Sequence, residues 1–237
     1  MPDDRADQSR ITGFWNTVAA DYEAHPGNVP VRDSAEHQAW VRAIAELLPP
    51  APADVLDIGT GTGFVAMIAA GLGHRVTPID LAEPMLAVAR AEARGRDLRI
   101  TFLSGDAVAP DFPERSFDAL ISRHLVWTLR DPATALINWH DLIRPGGRLV
   151  AIDGFWFQPE TGDGDTELPE GLFEQFYTKE TRRLLPGWNY FSVEPIAALF
   201  ERGSFADVAV RYLDAVLRVA RDPPAQEPSY ALVGFVR

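Results

Sequence analysis

An α/β fold with a doubly wound, mostly parallel sheet is what this sequence predicts, on three observations. Short apolar runs alternate with helix-like segments between residues 54 and 153. A glycine-rich turn, IGTGTG, joins the first apolar run to the segment after it. Aspartates recur at the ends of the runs, in DVLDI, RVTPID and FLSGDA. Strands that alternate with helices imply a parallel sheet covered on both faces and joined by right-handed crossovers.

Residues 1–10, MPDDRADQSR, read as a disordered tail, acidic and without the apolar stretch of a signal sequence. ITGFWNTVAADY, residues 11–22, supports a short amphipathic helix, and EHQAWVRAIAELL, residues 36–48, supports a second. PPAPA at 49–53 stops that helix and introduces the first strand. Five strands follow, DVLDI, RVTPI, RITFL, DALIS and RLVAID, with helix-like segments at 63–72, 82–94 and 132–143. In RPGGRLV, Arg144 suits a last helical turn, with Pro145 and Gly146 ending it. After Asp153 the rhythm breaks into a long aromatic stretch interrupted by Gly and Pro, read as an insertion that caps the sheet edge. A helix at about 194–202 and strands near 205–213 and 230–236 close the domain. There is no internal repeat.

Composition narrows the function. A chain of 237 residues suits one domain, or a domain with a lid, and 46% hydrophobic against 24% charged residues excludes a disordered polymer. The net charge of −12 offers none of the basic footprint of a nucleic-acid binder. With no cysteine there are no disulfides, thiolate metal sites or Cys nucleophiles. No run reaches membrane-spanning length. The expectation is a soluble cytoplasmic protein, a monomer or homodimer, with a small-molecule partner and no nucleic acid or membrane.

The glycine-rich turn places backbone N–H groups at a helix start. A dinucleotide fingerprint requires G-x-G-x-x-G, whose last glycine permits close helix–strand packing. Gly59 and Gly61 fit, but Phe64 stands at the third position and the glycine falls at Gly63. The resulting D-x-G-x-G-x-G, from Asp57, resembles motif I of the class I S-adenosylmethionine (SAM)-dependent methyltransferases. The resemblance continues through Asp80, Asp106, SFDALISRHLVWTLRDP (116–132) and LIRPGGRLVAID (142–153), covering about 11–153. It points to the small free-standing enzymes that include quinone-biosynthesis and natural-product methyltransferases.

This resemblance implies a Rossmann-like, doubly wound seven-stranded sheet with an antiparallel last strand. Residues 1–50 would be the tail and helical lid, and 51–237 the SAM-binding domain with 154–192 as a substrate cap. SAM is the implied cofactor. Asp57 would meet its ammonium directly or through water, Asp80 both ribose hydroxyls, and Asp106 the adenine amino group beside the Ala107 amide. Tyr22, Gly59, Thr60, Gly61, Gly63, Leu81, Met85, Ser122 and Arg123 complete the expected cofactor set. The bland alternative for each aspartate is a helix cap, and for Arg123 a solvated side chain.

Methyl transfer needs alignment and exclusion of water more than a catalytic group, because the donor is already activated. His124, just past the fourth strand, is the candidate base or acceptor-positioning residue; otherwise it packs or caps a helix start. His37, His74 and His140 read as structural. No His and carboxylates stand at metal-ligand spacing. Trp15, Trp127, Trp156, Tyr177, Trp188 and Tyr190 are the expected acceptor contacts, favouring a flat apolar molecule. The function expected is methyl transfer to O, N or C of a small aromatic or heterocyclic metabolite. Two alternatives stand beside it: a SAM-binding module with regulatory or non-methyl chemistry, and an NAD-dependent oxidoreductase.

Overall fold

In the computed structural model, residues 4–25, 28–154, 171–190, 192–213 and 230–237 are described. Among them, seven strands form one sheet in the order β3-β2-β1-β4-β5-β7-β6. They are β1 (Asp54–Ile58), β2 (Arg75–Asp80), β3 (Leu103–Ser104), β4 (Phe117–Arg123), β5 (Ile143–Asp153), β6 (Ala206–Tyr212) and β7 (Tyr230–Phe235). β1 to β5 pair in parallel, and β7 runs antiparallel to both β5 and β6. The winding reverses between β1 and β4, and the crevice beyond the carboxyl ends of such neighbours is where open α/β sheets bind ligands.

The apolar runs become strands because both faces of the sheet are covered. Alternation sends neighbours to opposite sides. Leu56, Leu120 and Leu149 pack into one core with Trp139 and Phe200, whereas Val55, Ile121 and Val150 enter another with Trp40, Ile44 and Phe64. The first core is covered by α5 (Pro132–Leu142) and α9 (Val193–Arg202), the second by α2 (Ala35–Leu47) and α3 (Phe64–Gly71). Side-chain caps fix two helix starts: Ser34 accepts from the His37 amide, and Asp131 from the Thr134 amide ahead of Pro132. α4 (Glu83–Gly95) follows β2 and packs Leu86 and Ala89 against Met67 and Phe102.

Several expectations are corrected. Helix α1 spans Asp4–Val18, so residues 4–10 are not a disordered tail. Their order comes from long-range polar partners, such as Thr181 donating to Asp7 at 2.8 Å, which local hydropathy does not register. RITFL yields only the two-residue β3, an exposed edge. Helix α5 ends at Leu142, and Ile143 already pairs with Phe117, so Arg144 lies in strand β5. There it bonds Asp118 at 2.8 Å and Asp54 at 3.1 Å, tying together the amino ends of β4 and β1.

Of the expected insertion, residues 171–190 form α6 (Leu172–Phe176), α7 (Lys179–Leu184) and α8 (Pro186–Asn189). They pack on α1: Phe14, Phe173 and Tyr177 share a buried cluster with Trp127. The contact is close, since a Cβ at Gly13 would stand 2.8 Å from the Phe176 ring. No helix among the described residues is long and apolar enough to cross a membrane.

Candidate active site

Beyond Ile58 the chain folds back on β2. The Gly59 and Thr60 amides both donate to the Ile79 carbonyl, at 2.9 and 3.0 Å. Gly61 has φ +55°, and a Cβ there would meet nothing within 4 Å, so the backbone lies open to the cleft. Gly63 has a different reason to be glycine. It caps α3 at φ +85°, and a Cβ would stand 2.9 Å from Phe102 and 3.1 Å from Ala89. It is not among the residues that line the cleft; it lets the start of α3 approach Ala89 of α4 and the Phe102 ring.

The cleft opens beyond the carboxyl ends of β1, β2 and β4. Tyr22, Asp57, Gly59, Thr60, Gly61, Asp80, Leu81, Met85, Asp106, Ala107, Arg123, His124 and Trp15 all line it, so most of the sequence-predicted set converges on one site.

Asp57 is 1% exposed, and its Oδ2 accepts the Thr60 hydroxyl at 2.6 Å. Burial pushes its carboxyl up to about 7; the Thr60 hydrogen bond opposes this, and the nearby Asp80 charge adds to it. Asp80 accepts the Gly61 amide on Oδ2 and the Ala82 amide on Oδ1, both at 2.8 Å. Burial still raises its pKa against those amides. Asp106 sits differently. Arg130 grips both its oxygens, at 3.0 and 2.7 Å, and the Val108 amide donates to Oδ1 at 2.9 Å. Burial opposes ionisation there, but the guanidinium and the amides prevail and hold the carboxyl below its usual range. Neither aspartate caps a helix: the N-cap of α4 is Ala82, and the element that follows Asp106 is strand β4, so these amides belong to the turns after β2 and β3.

Arg123 is not solvated. Its guanidinium lies 4.8 Å from the Trp40 ring centroid and 4.9 Å from that of Phe64, and donates to the Asn28 carbonyl at 2.9 Å. His124 has φ +57°, a conformation uncommon outside glycine. Its amide donates to the Ile152 carbonyl at 2.8 Å, and its own carbonyl accepts the Trp127 indole at 3.0 Å. Burial, reinforced by the Arg123 charge, drives the imidazole pKa well below its ordinary value, so the ring is neutral at physiological pH. Ser122 is 1% exposed and lies outside the cleft; its hydroxyl has no hydrogen-bond partner among the described residues.

The aromatic expectations divide. Trp15 and Tyr22 line the cleft, with ring centroids 6.0 Å apart. Tyr177 is fully buried, stacked on Trp127 and Phe173 and bonded to Thr128 at 2.7 Å, so it is a core residue and not an acceptor contact. Trp127 is likewise packed away, with its amide bonded to Asp153 at 3.2 Å. Tyr190 packs on the main core instead of the cleft. Trp127 alone is close in sequence to cleft residues, on the turn after β4; Tyr177 and Tyr190 sit at the ends of α6 and α8. Trp156 and the Trp188 side chain lie outside the described residues. His140 packs edge-on against Phe205, and His37 against Phe64.

Gln8, Thr12 and Arg130 also line the cleft, and no local pattern marks them. Gln8 fell in the supposed tail, and Arg130 finds Asp106 across 24 residues, a separation no local pattern encodes.

A cation-bearing ligand fits this donor set. Asp57 and Asp80 are carboxylates lifted by burial, held by a hydroxyl and by backbone amides and facing an open glycine backbone. A pyrophosphate would add like charge to them. A family model described as "Methyltransferase domain" matches residues 56–151. The demethylmenaquinone methyltransferase of Thermus thermophilus is 33% identical over 199 residues, covering 83% of this chain and 80% of that protein. A ubiquinone/menaquinone biosynthesis C-methyltransferase UbiE from a Ruegeria species is 30% identical over 150 residues, and the match spans only 58% of its length. Phosphoethanolamine N-methyltransferase 2 of Haemonchus contortus, solved with SAM, shares the fold at a TM-score of 0.66 and 19% identity, over 93% of this chain and 57% of that one. The chain belongs to the class I SAM-dependent methyltransferases, and it is an enzyme that transfers a methyl group from SAM to a small metabolite.

Proposed function

We propose that the acceptor is a hydroxylated aromatic ring of the quinol type and that the methyl group goes to a ring carbon. The observation that carries this reading is His124: a neutral imidazole in the cleft, held by backbone bonds on both sides and neighboured by Trp15 and Leu125 in the lining. Relatives that act on demethylmenaquinone by name, or are named C-methyltransferases, support it.

SAM supplies an activated methyl group on a sulfonium. The residues here bind, orient and shield. Asp80 would meet the ribose hydroxyls with what the Gly61, Leu81 and Ala82 amides leave of its lone pairs. Asp57 faces positive charge, Asp106 and the Ala107 backbone take the adenine edge, and Leu81 and Met85 flank the adenosine. Tyr22 closes the methionine end. Arg123 anchors the segment after Tyr22 through the Asn28 carbonyl.

His124 acts by accepting a hydrogen bond from an acceptor hydroxyl. A hydroxyl whose proton is drawn towards nitrogen pushes electron density into its ring, and carbon becomes nucleophilic; once methylated, that carbon would release its ring proton to water and restore the aromatic ring. Full proton capture is disfavoured, because burial and Arg123 penalise the imidazolium. Positioning is therefore the larger part of its role. In this reading the enzyme works in the cytoplasm, as a monomer or homodimer, without nucleic acid.

The test is incubation with SAM and a reduced naphthoquinone lacking its ring methyl, with product analysis by mass spectrometry and NMR. The expected product carries a new methyl on carbon together with stoichiometric S-adenosylhomocysteine. Methylation on oxygen, or turnover confined to amines, would refute the reading.

A further inference from the structure

We propose that Arg130 is a positioning residue that joins the Asp106 carboxylate to helix α1, so that engagement of the cofactor base and closure of α1 are one event. The inference rests on the placement of adenine at Asp106 proposed above.

Arg130 precedes α5, whose start is fixed by the Asp131 cap. Its two terminal nitrogens bond separate oxygens of Asp106, and the first also bonds the Gln8 side chain of α1, 122 residues away. The pair is sheltered, with the Arg130 side chain 10% exposed and that of Asp106 31%. A carboxylate offers about four lone-pair sites. The two Arg130 contacts and the Val108 and Ala109 amides hold it from the protein side, so an incoming amino group must share an oxygen whose direction they set. A guanidinium holds the carboxylate plane through its fork, which a lysine ammonium cannot do.

Helix α1 is well placed to receive this constraint. Gln8, Ile11, Thr12 and Trp15 put its cleft-facing side along the site. Asp7, one residue from Gln8, is tied to Thr181 of α7 on the other side. Withdrawal of α1 breaks the Gln8 contact and frees Arg130 to swing, and the acceptor site on Asp106 loses its direction. Linkage makes the effect mutual: a base that fixes Asp106 holds Arg130, and Arg130 holds α1.

The experiment measures binding of S-adenosylhomocysteine and of adenosine alone by calorimetry, with hydrogen exchange over residues 4–18. The proteins are wild type, Arg130→Ala, Arg130→Lys, Gln8→Ala, the Gln8→Ala/Arg130→Ala double variant and Asp106→Ala, each checked for folding by thermal unfolding. Arg130→Ala should weaken both ligands about tenfold, the scale of losing hydrogen bonds to a charged group. Arg130→Lys should do nearly the same, and S-adenosylhomocysteine should no longer slow exchange in α1. Gln8→Ala should weaken binding about threefold alone and add nothing in the Arg130→Ala background, since coupled residues are not additive. Additive losses, wild-type affinity with ligand-slowed exchange in Arg130→Ala, or full rescue by lysine would overturn the coupling. If Asp106→Ala binds adenosine like wild type, the adenine placement itself fails; if it binds weakly while Arg130→Ala is unchanged, only the coupling fails.

Discussion

Replacing Asp57 by Asn should stabilise the cofactor-free enzyme, and more so at high pH. The carboxyl is 1% exposed, and burial lifts its pKa from the ordinary 3.8 to about 7. Between those values the folded protein holds a proton that the unfolded chain has released. The sign is therefore unfavourable to alkali: stability is greatest below 3.8 and declines as pH rises through the window to about 7. The full span is about three pH units, a ceiling of about 4 kcal/mol at 1.36 kcal/mol per unit. About two of those units lie between pH 5 and 7, worth about 2.7 kcal/mol. At about 2–4 °C per kcal/mol for a chain of this size, the advantage of Asp57→Asn should grow by about 5–11 °C between pH 5 and pH 8. Asparagine still offers an oxygen to the Thr60 hydroxyl, so local packing is largely kept. The assay is thermal unfolding of both proteins without ligand across that range. A gap that stays constant with pH, or narrows towards pH 8, would refute the argument.

Asp80→Ala removes charge-assisted hydrogen bonds worth about 1.5–3 kcal/mol each, so SAM affinity should fall at least about tenfold by calorimetry; an unchanged dissociation constant in a folded variant would displace the ribose from this residue. His124→Ala should lower kcat/KM by about 5–100-fold, the range of one lost buried hydrogen bond, partly through the acceptor KM, with SAM affinity intact. Because the ring is neutral above its depressed pKa, the ratio of wild-type to variant rates should be flat from pH 6.5 to 9; a ratio that swings near neutrality would make His124 a titrating base.

What the sequence exposed was set by local rules. Strands β1, β2, β4 and β5 were legible because burial on both faces demands unbroken apolar runs, and the D-x-G-x-G-x-G turn was legible because left-handed backbone demands glycine. Edge strand β3 was overdrawn, since a run such as RITFL says nothing of how much of it finds a partner. Helix α1 was cut short because its first two turns depend on Thr181 and Arg130, residues known only from the fold. The acceptor wall was least legible. Trp127 is near the site in sequence and Tyr177 lies in the expected cap, yet each turns its ring into the core, and the choice between core and cleft is one of direction that residue type does not record.

The unequal treatment of the aspartates bears on how the enzyme discharges its product. Arg75 and Arg144 attend Asp54 and Asp118 at the amino ends of the strands, and Arg130 attends Asp106, whereas Asp57 and Asp80 are met by a hydroxyl and by amides. Two buried carboxyl groups left in this state favour a ligand that brings positive charge and so helps them ionise, and the low local dielectric magnifies the preference. Loss of the methyl group leaves the spent donor one positive charge poorer than the one that arrived. The ammonium that Asp57 would meet stays charged, but the pull of both carboxylates on the sulfonium across the cleft ends with the reaction, so by charge alone the site would favour the fresh cofactor over the used one.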